Sequence, residues 1–263
     1  MTPEETTVVI DQLREEINRD TSVLPSLERL RQSGPFTDKD HFVNSSLKDF
    51  SNLLRMTEMT PDSDVLDYGC GLGRLCVPFR PYLSAEGSYV GIDTDREATN
   101  YLTDLHGEHG FAFHHVNVFS QMYNRKGKPI KKALRKAKLD NQTDLAFLFS
   151  VFTHVLPDDV PPLLKYLSEN VKKGGQIFAT FFILNEASKR GIEKGNSHRP
   201  FPFPYQNARI DNSEVPEGAV AYEEDDLRGY FADAGLEVEE MSFGNWSGHR
   251  NSWHWQDNVV LKV

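Results

Sequence analysis

The ten residues Val65-Leu66-Asp67-Tyr68-Gly69-Cys70-Gly71-Leu72-Gly73-Arg74 constrain the fold more than any other stretch. Val65 and Leu66 lead in as a strand, glycines then stand at every second position, and apolar residues at helical spacing resume from Leu72 to Leu83. Strand, glycine turn and helix in that order make the setting of a nucleotide-binding loop. Glycine turns tightly and lets a ligand reach the main chain with no Cβ in the way.

The spacing is G-x-G-x-G, not the G-x-G-x-x-G that seats a dinucleotide pyrophosphate on a helix N-terminus. Asp67, just ahead of the glycines, repels a pyrophosphate and suits a ligand carrying an ammonium group. Asp93 closes the next apolar run, Tyr89-Val90-Gly91-Ile92, where a carboxylate can accept from both hydroxyls of a ribose. A ribose, a cationic amino group and no phosphate describe S-adenosylmethionine better than NAD. The alternative is that Asp67 and Asp93 only cap the helices after them.

The rest of the chain alternates. Residues 6–32 hold Val8, Val9, Leu13 and Ile17, then Leu24, Leu27 and Leu30, interrupted near Pro25. That pattern predicts two short helices before the break Ser33-Gly34-Pro35. A third helix is expected over 45–57, with Leu47, Phe50, Leu53 and Leu54 on one face. Strands are expected near 111–118, 144–151 and 176–184, and helices near 95–106 and 158–171, the second ended by Lys173-Gly174-Gly175. Such alternation predicts a parallel sheet with right-handed crossovers. Residues 193–220 carry Pro200, Pro202, Pro204 and Pro216 and read as one long loop. An acidic helix near 222–234 and a terminal hairpin, 236–243 with 256–263, complete the reading.

These motifs resemble those of the class I S-adenosylmethionine-dependent methyltransferases over roughly residues 60–183. VLDYGCGLGR is similar to the family's first motif, YVGID to its second, LFSVFTHV to its fourth-strand motif, and VKKGGQIFATFFILNE to the region entering its fifth strand. The resemblance implies an α/β fold with a doubly wound, seven-stranded, mostly parallel Rossmann-like sheet whose last two strands form an antiparallel hairpin. Residues 1–60 would be an N-terminal helical extension or lid, and 61–263 the methyltransferase domain. Carried over by position, Asp67, Gly69, Gly71 and Gly73 would line the methionine moiety and Asp93 would hold the ribose. Asn117 and Val118 would lie beside the adenine, and Ser150 would join the same cofactor-binding set. The family often has an acid where Asn117 stands, and an amide oxygen can accept the same bond.

His154, after the fourth strand, is the candidate general base for a hydroxyl acceptor, since an imidazole of reference pKa about 6.5 can take a proton near neutral pH. Some small-molecule O-methyltransferases resemble this arrangement; the alternative is a histidine packed under the next helix. His114 and His115 alternate across a strand and cannot chelate one metal together, so no metal site is expected. Trp246, Trp253 and Trp255 with His249 and His254 can wall an acceptor or pack the hairpin, and the strip Phe201, Phe203, Tyr205 is equally open. No Asn/Asp-Pro-Pro-Tyr/Phe tetrapeptide and no cysteine follow the fourth strand. The family comparison therefore speaks against nucleobase amino groups, and thiolate chemistry on cytosine has no nucleophile.

Residues 125–138, RKGKPIKKALRKAK, place eight basic residues in fourteen positions, in a chain whose net charge is −10. The overall charge argues against a general nucleic-acid binder, although this segment can meet an anionic acceptor such as RNA, a phosphorylated sugar or a lipid head group. Two cysteines, no apolar run near the roughly 18 residues of a membrane span, and an acidic N-terminus predict a reduced, cytoplasmic protein. The expected activity is methylation of a small-molecule or sugar hydroxyl. RNA methylation, a cofactor-binding module that transfers nothing, and a nicotinamide oxidoreductase are the alternatives.

Overall fold

The computed structural model describes residues 1–32, 36–137, 139–249 and 252–263, so the expected break Ser33-Gly34-Pro35 and Lys138 of the basic segment lie outside the described residues. Its helices are α1 (Pro3–Arg19), α2 (Leu27–Gln32), α3 (Lys39–Met56), α4 (Cys76–Tyr82), α5 (Arg96–His106), α6 (Ile130–Leu134), α7 (Val160–Asn170), α8 (Glu186–Glu193) and α9 (Glu224–Asp233). Its strands are β1 (Asp64–Tyr68), β2 (Ser88–Asp93), β3 (Ala112–His115), β4 (Thr143–Leu148), β5 (Val171–Phe181), β6 (Ile183–Leu184), β7 (Phe203–Tyr205), β8 (Ala208–Ile210), β9 (Val220–Glu223), β10 (Glu237–Ser242) and β11 (Asp257–Lys262).

Seven strands form one sheet in the order β10-β11-β5-β4-β1-β2-β3. The pairs β1–β2 and β2–β3 are parallel, whereas β11 runs antiparallel to both β5 and β10. The expected α/β sheet with an antiparallel terminal hairpin is present. The chain divides into two units, 1–116 with 143–145, and 117–142 with 146–263.

In the first unit, α1 starts at a capping box, Thr2 accepting from the Glu5 amide while the Glu5 side chain accepts from Thr2, with Pro3 pre-set for the first turn. The expected helix at 45–57 begins earlier, because Asp38 caps its N-terminus by accepting from His41 N at 2.7 Å. Phe42, Leu47, Phe50, Leu53 and Leu54 are its buried face. Phe50 meets Phe79 edge-on at 4.9 Å, which docks α3 against α4.

The second unit departs from expectation in one large respect. Residues 193–220 are not a single loop: β7 and β8 pair antiparallel, β8 pairs antiparallel with β9, and β9 runs parallel to β6. This gives a second, four-stranded sheet in the order β6-β9-β8-β7. The prolines are tolerated because Pro204 lies on the edge strand β7, where a missing N–H can face away from the ladder. Phe201 is fully buried with Phe182, Leu184, Ala221 and Trp246, so it is core, while Phe203 is exposed. Helix α7 ends within a residue of the expected 171, but β5 starts well before the expected 176. Val171 already belongs to β5, and Gly174, at φ 81°, turns inside the strand with its N–H on Val263 O at 2.8 Å.

Candidate active site

The glycine loop is held by its own amides. Gly69 N and Cys70 N both donate to Ile92 O, at 2.7 and 3.1 Å, Gly71 N donates to Asp93 Oδ2 at 2.7 Å, and Gly73 N donates to Cys70 O at 2.8 Å. A loop that cradles phosphate must aim free N–H groups at the anion. Here those four are already used. Gly71 sits at φ 51°, and a Cβ built on it would meet no atom within 4 Å, so the main chain is open to a ligand there. Gly73 has a different job: at φ 76° its missing side chain would strike Leu102 Cδ2 of α5 at 2.6 Å.

Arg74 ends the loop, anchored to α3. Its guanidinium pairs with Asp49 and donates to Ser45 O at 3.3 Å, while its carbonyl accepts from Ser46 Oγ at 2.5 Å. The pre-strand helices thus buttress the loop, a role that no local signal in 39–56 announces.

Asp93 is half-buried. Each carboxylate oxygen accepts one backbone amide, Oδ2 from Gly71 and Oδ1 from Asp95 at 2.7 Å, and each retains a lone pair for a ribose hydroxyl. Burial raises its pKa against the amides of Asp95, Gly71 and, more weakly, Thr94. Helix α5 is capped not by Asp93 but by Asp95, which accepts from Glu97 N and Ala98 N. Asp67 is buried, and its Oδ2 accepts from Tyr89 OH at 2.5 Å. Burial pushes its carboxyl up to about 7, with the Tyr89 hydroxyl and the Arg74 charge pulling the other way. Asp67, Gly69, Gly71, Gly73 and Asp93 are therefore gathered in the first unit around one open main-chain face.

Asn117, Val118, Ser150 and His154 fall in the second unit. Asn117 Oδ1 accepts from Asn124 Nδ2 at 2.9 Å and keeps a second lone pair. The chain leaves β4 sooner than predicted because Ser150 turns it at φ 58°, a left-handed conformation uncommon for a side-chain-bearing residue. Ser150 N donates to Thr180 Oγ1 at 2.8 Å and its Oγ to Gln256 Oε1 at 3.0 Å, which fixes that conformation. Past it lies a single 3-10 turn, Phe152–His154. Tyr222 of β9 steadies that turn, its hydroxyl donating toward the carbonyls of Phe152, at 2.9 Å, and Val155.

His154 Nδ1 lies 2.8 Å from Glu217 O. A carbonyl only accepts, so Nδ1 carries the proton and the lone pair is on Nε2. Burial lowers the pKa of this imidazole, opposed by the backbone carbonyls of Glu217 and Gly218, which favours the neutral ring. The second sheet, unforeseen in the sequence, supplies Tyr222 from β9, and the turn just before β9 supplies Glu217, the two residues that orient His154 and its turn. Neither Tyr222 nor Glu217 stands out in sequence, since each acts across about 60–70 residues of chain.

Comparison with known proteins settles the family. A profile described as "Methyltransferase domain" matches residues 40–241. The chain belongs to this methyltransferase family. Its fold is similar to a magnesium protoporphyrin IX methyltransferase from Synechocystis PCC 6803 with bound S-adenosylhomocysteine, at 14% identity and TM-score 0.52, over 94% of this chain and 99% of the other. An S-adenosylmethionine-dependent methyltransferase from Clostridium acetobutylicum ATCC 824 matches at 12% identity and TM-score 0.51, covering 96% of this chain and 98% of the other. The glycopeptide N-methyltransferase MtfA complexed with S-adenosylhomocysteine matches at 11% and 0.52, over 82% and 89%. The methyltransferase is an enzyme whose cofactor is S-adenosylmethionine. The loop fits that cofactor: an open main-chain face at Gly71, a carboxylate with free lone pairs at Asp93, and four amides already spent, which a phosphate would need.

Proposed function

We propose that this methyltransferase methylates a hydroxyl of a small molecule or sugar, with His154 as general base. When bound, S-adenosylmethionine supplies an electrophilic methyl carbon and takes back the electron pair of its carbon–sulfur bond. Asp93 would hold the ribose and the Gly69–Gly73 main chain the methionine part, with the buried Asp67 carboxyl beneath the loop and Asn117, Val118 and Ser150 completing the cofactor-binding set. His154 Nε2 would take the hydroxyl proton as the acceptor oxygen bonds to carbon. The observation that carries this reading is the contact of Nδ1 with Glu217 O, which leaves Nε2 as the basic, accepting nitrogen in a ring whose neutral form burial favours. Both cysteines are buried free thiols, which suits the reducing cytoplasm we assign to the reaction. Among the described residues no helix is long and apolar enough to cross a membrane.

His154→Gln tests it, assayed by transfer of labelled methyl to a panel of phenols and sugars. Turnover should fall about a hundredfold or more, with S-adenosylhomocysteine affinity retained. The acid limb of the wild-type rate profile should lie below pH 6.5 and vanish in the variant. Undiminished turnover removes His154 from the chemistry.

A further inference from the structure

Residues 119–128 form a closed arm that springs from the cofactor-set residues Asn117 and Val118 and has no part of its own in holding the cofactor. Phe119 N donates to Lys128 O at 2.8 Å and Lys128 N to Asn117 O at 2.9 Å, while Ser120 and Asn124 exchange two backbone bonds of 3.0 Å. Gly127 closes the arm, because a Cβ there would collide with the Val118 carbonyl and the Phe119 amide. Glu217 locks the tip, its buried carboxylate accepting from Ser120 Oγ at 2.8 Å and Gln121 N at 2.7 Å. The same Glu217 holds His154 through its backbone carbonyl, so arm and histidine share one anchor.

What the arm displays is unusual for a solvated loop. Phe119, Met122 and Tyr123 are 47, 44 and 59% exposed, and the Tyr123 ring stands edge-on to His154 with centroids 6.2 Å apart. Clustered exposed apolar side chains mark a binding surface. Arg125, Lys126 and Lys128 are exposed on the returning half, and Lys131 and Lys132 continue the charge along α6. In a chain of net charge −10, cations concentrated beside an apolar tip select for an anion.

We propose that this arm recognises the methyl acceptor, and that the acceptor joins an apolar body, aromatic or acyl, to an anionic group. The apolar body packs on Met122 and Tyr123 next to His154, and the anion meets the cations of the returning half. This specifies the acceptor of the His154 reading and rests on it. A neutral sugar uses neither half of the arm.

Labelled methyl transfer to four probes tests the proposal: 4-hydroxycinnamate, 16-hydroxyhexadecanoate, the neutral methyl ester of 4-hydroxycinnamate, and glucose 6-phosphate. At least one of the two hydroxy acids should be the best acceptor, with kcat/KM about tenfold above the ester or the sugar phosphate, the scale of one charge contact. Lys126→Glu combined with Lys128→Glu should erase the advantage of acid over ester through KM. Met122→Ala should weaken the hydroxy acids more than glucose 6-phosphate. A preference for the ester or the sugar phosphate overturns the proposal, as does methylation of RNA that the charge-reversed protein loses. No transfer to any probe by protein that still binds S-adenosylhomocysteine overturns the acceptor class and leaves the cofactor assignment standing. Failure to bind S-adenosylhomocysteine overturns both.

Discussion

At the scale of single residues, the informative groups are carboxyls whose burial is only partly compensated. Asp67 titrates at about 7 in the folded chain against an ordinary 3.8, because burial outweighs the Tyr89 hydroxyl and Arg74. The folded protein keeps this proton over a range in which the unfolded chain has lost it. Asp67 therefore costs stability progressively as pH rises from about 4 to about 7. Asp257 also reaches about 7, although Gly244 N, Ile183 N and Trp246 Nε1 all donate to it. His106 works in the opposite sense: burial brings it down to about 4, so stability rises as pH climbs from about 4 to the ordinary 6.5. A difference measurement separates these effects. The melting temperature of Asp67→Asn minus that of the wild type, both free of cofactor, should become more positive from pH 4 to pH 7. A difference that is flat or falls over that range contradicts the raised carboxyl.

At the scale of elements, two glycines of one loop should behave differently when given a methyl group. Gly73→Ala drives a Cβ into Leu102 and should lower stability by about 1–3 kcal/mol in denaturant unfolding. Gly71→Ala meets nothing, so its stability cost is about 1 kcal/mol from the left-handed backbone alone, and its main effect should be weaker binding of S-adenosylhomocysteine. Equal loss of affinity in both, or none at Gly71, contradicts the division of roles. The loop was legible from sequence because its signal is local: strand, glycines and acid follow one another within thirty residues. The second sheet was not. β7 and β8 are three residues each, β7 contains a proline, and their pairing with β9 and β6 is fixed by residues far away in the chain. The orientation of His154 was hidden for the same reason, since its supports come from β9 and the turn before it. Boundaries slipped where a glycine sits within a strand, as at Gly174, or where a serine takes the conformation expected of one, as at Ser150.

At the scale of the whole molecule, the family fixes the cofactor, while our proposal gives the choice of acceptor to the arm. The sequence carried the first in motifs and spread the second over segments with no motif at all. The central assignment is that the loop grips a nucleoside bearing no phosphate, since the amides of Gly69, Cys70, Gly71 and Gly73 are spent within the loop and on β2. Calorimetric titration of the 263-residue chain with S-adenosylhomocysteine and, separately, with NAD tests this most directly. Saturable binding of the first with none of the second is the expected result. Binding of NAD, or silence with S-adenosylhomocysteine, contradicts it.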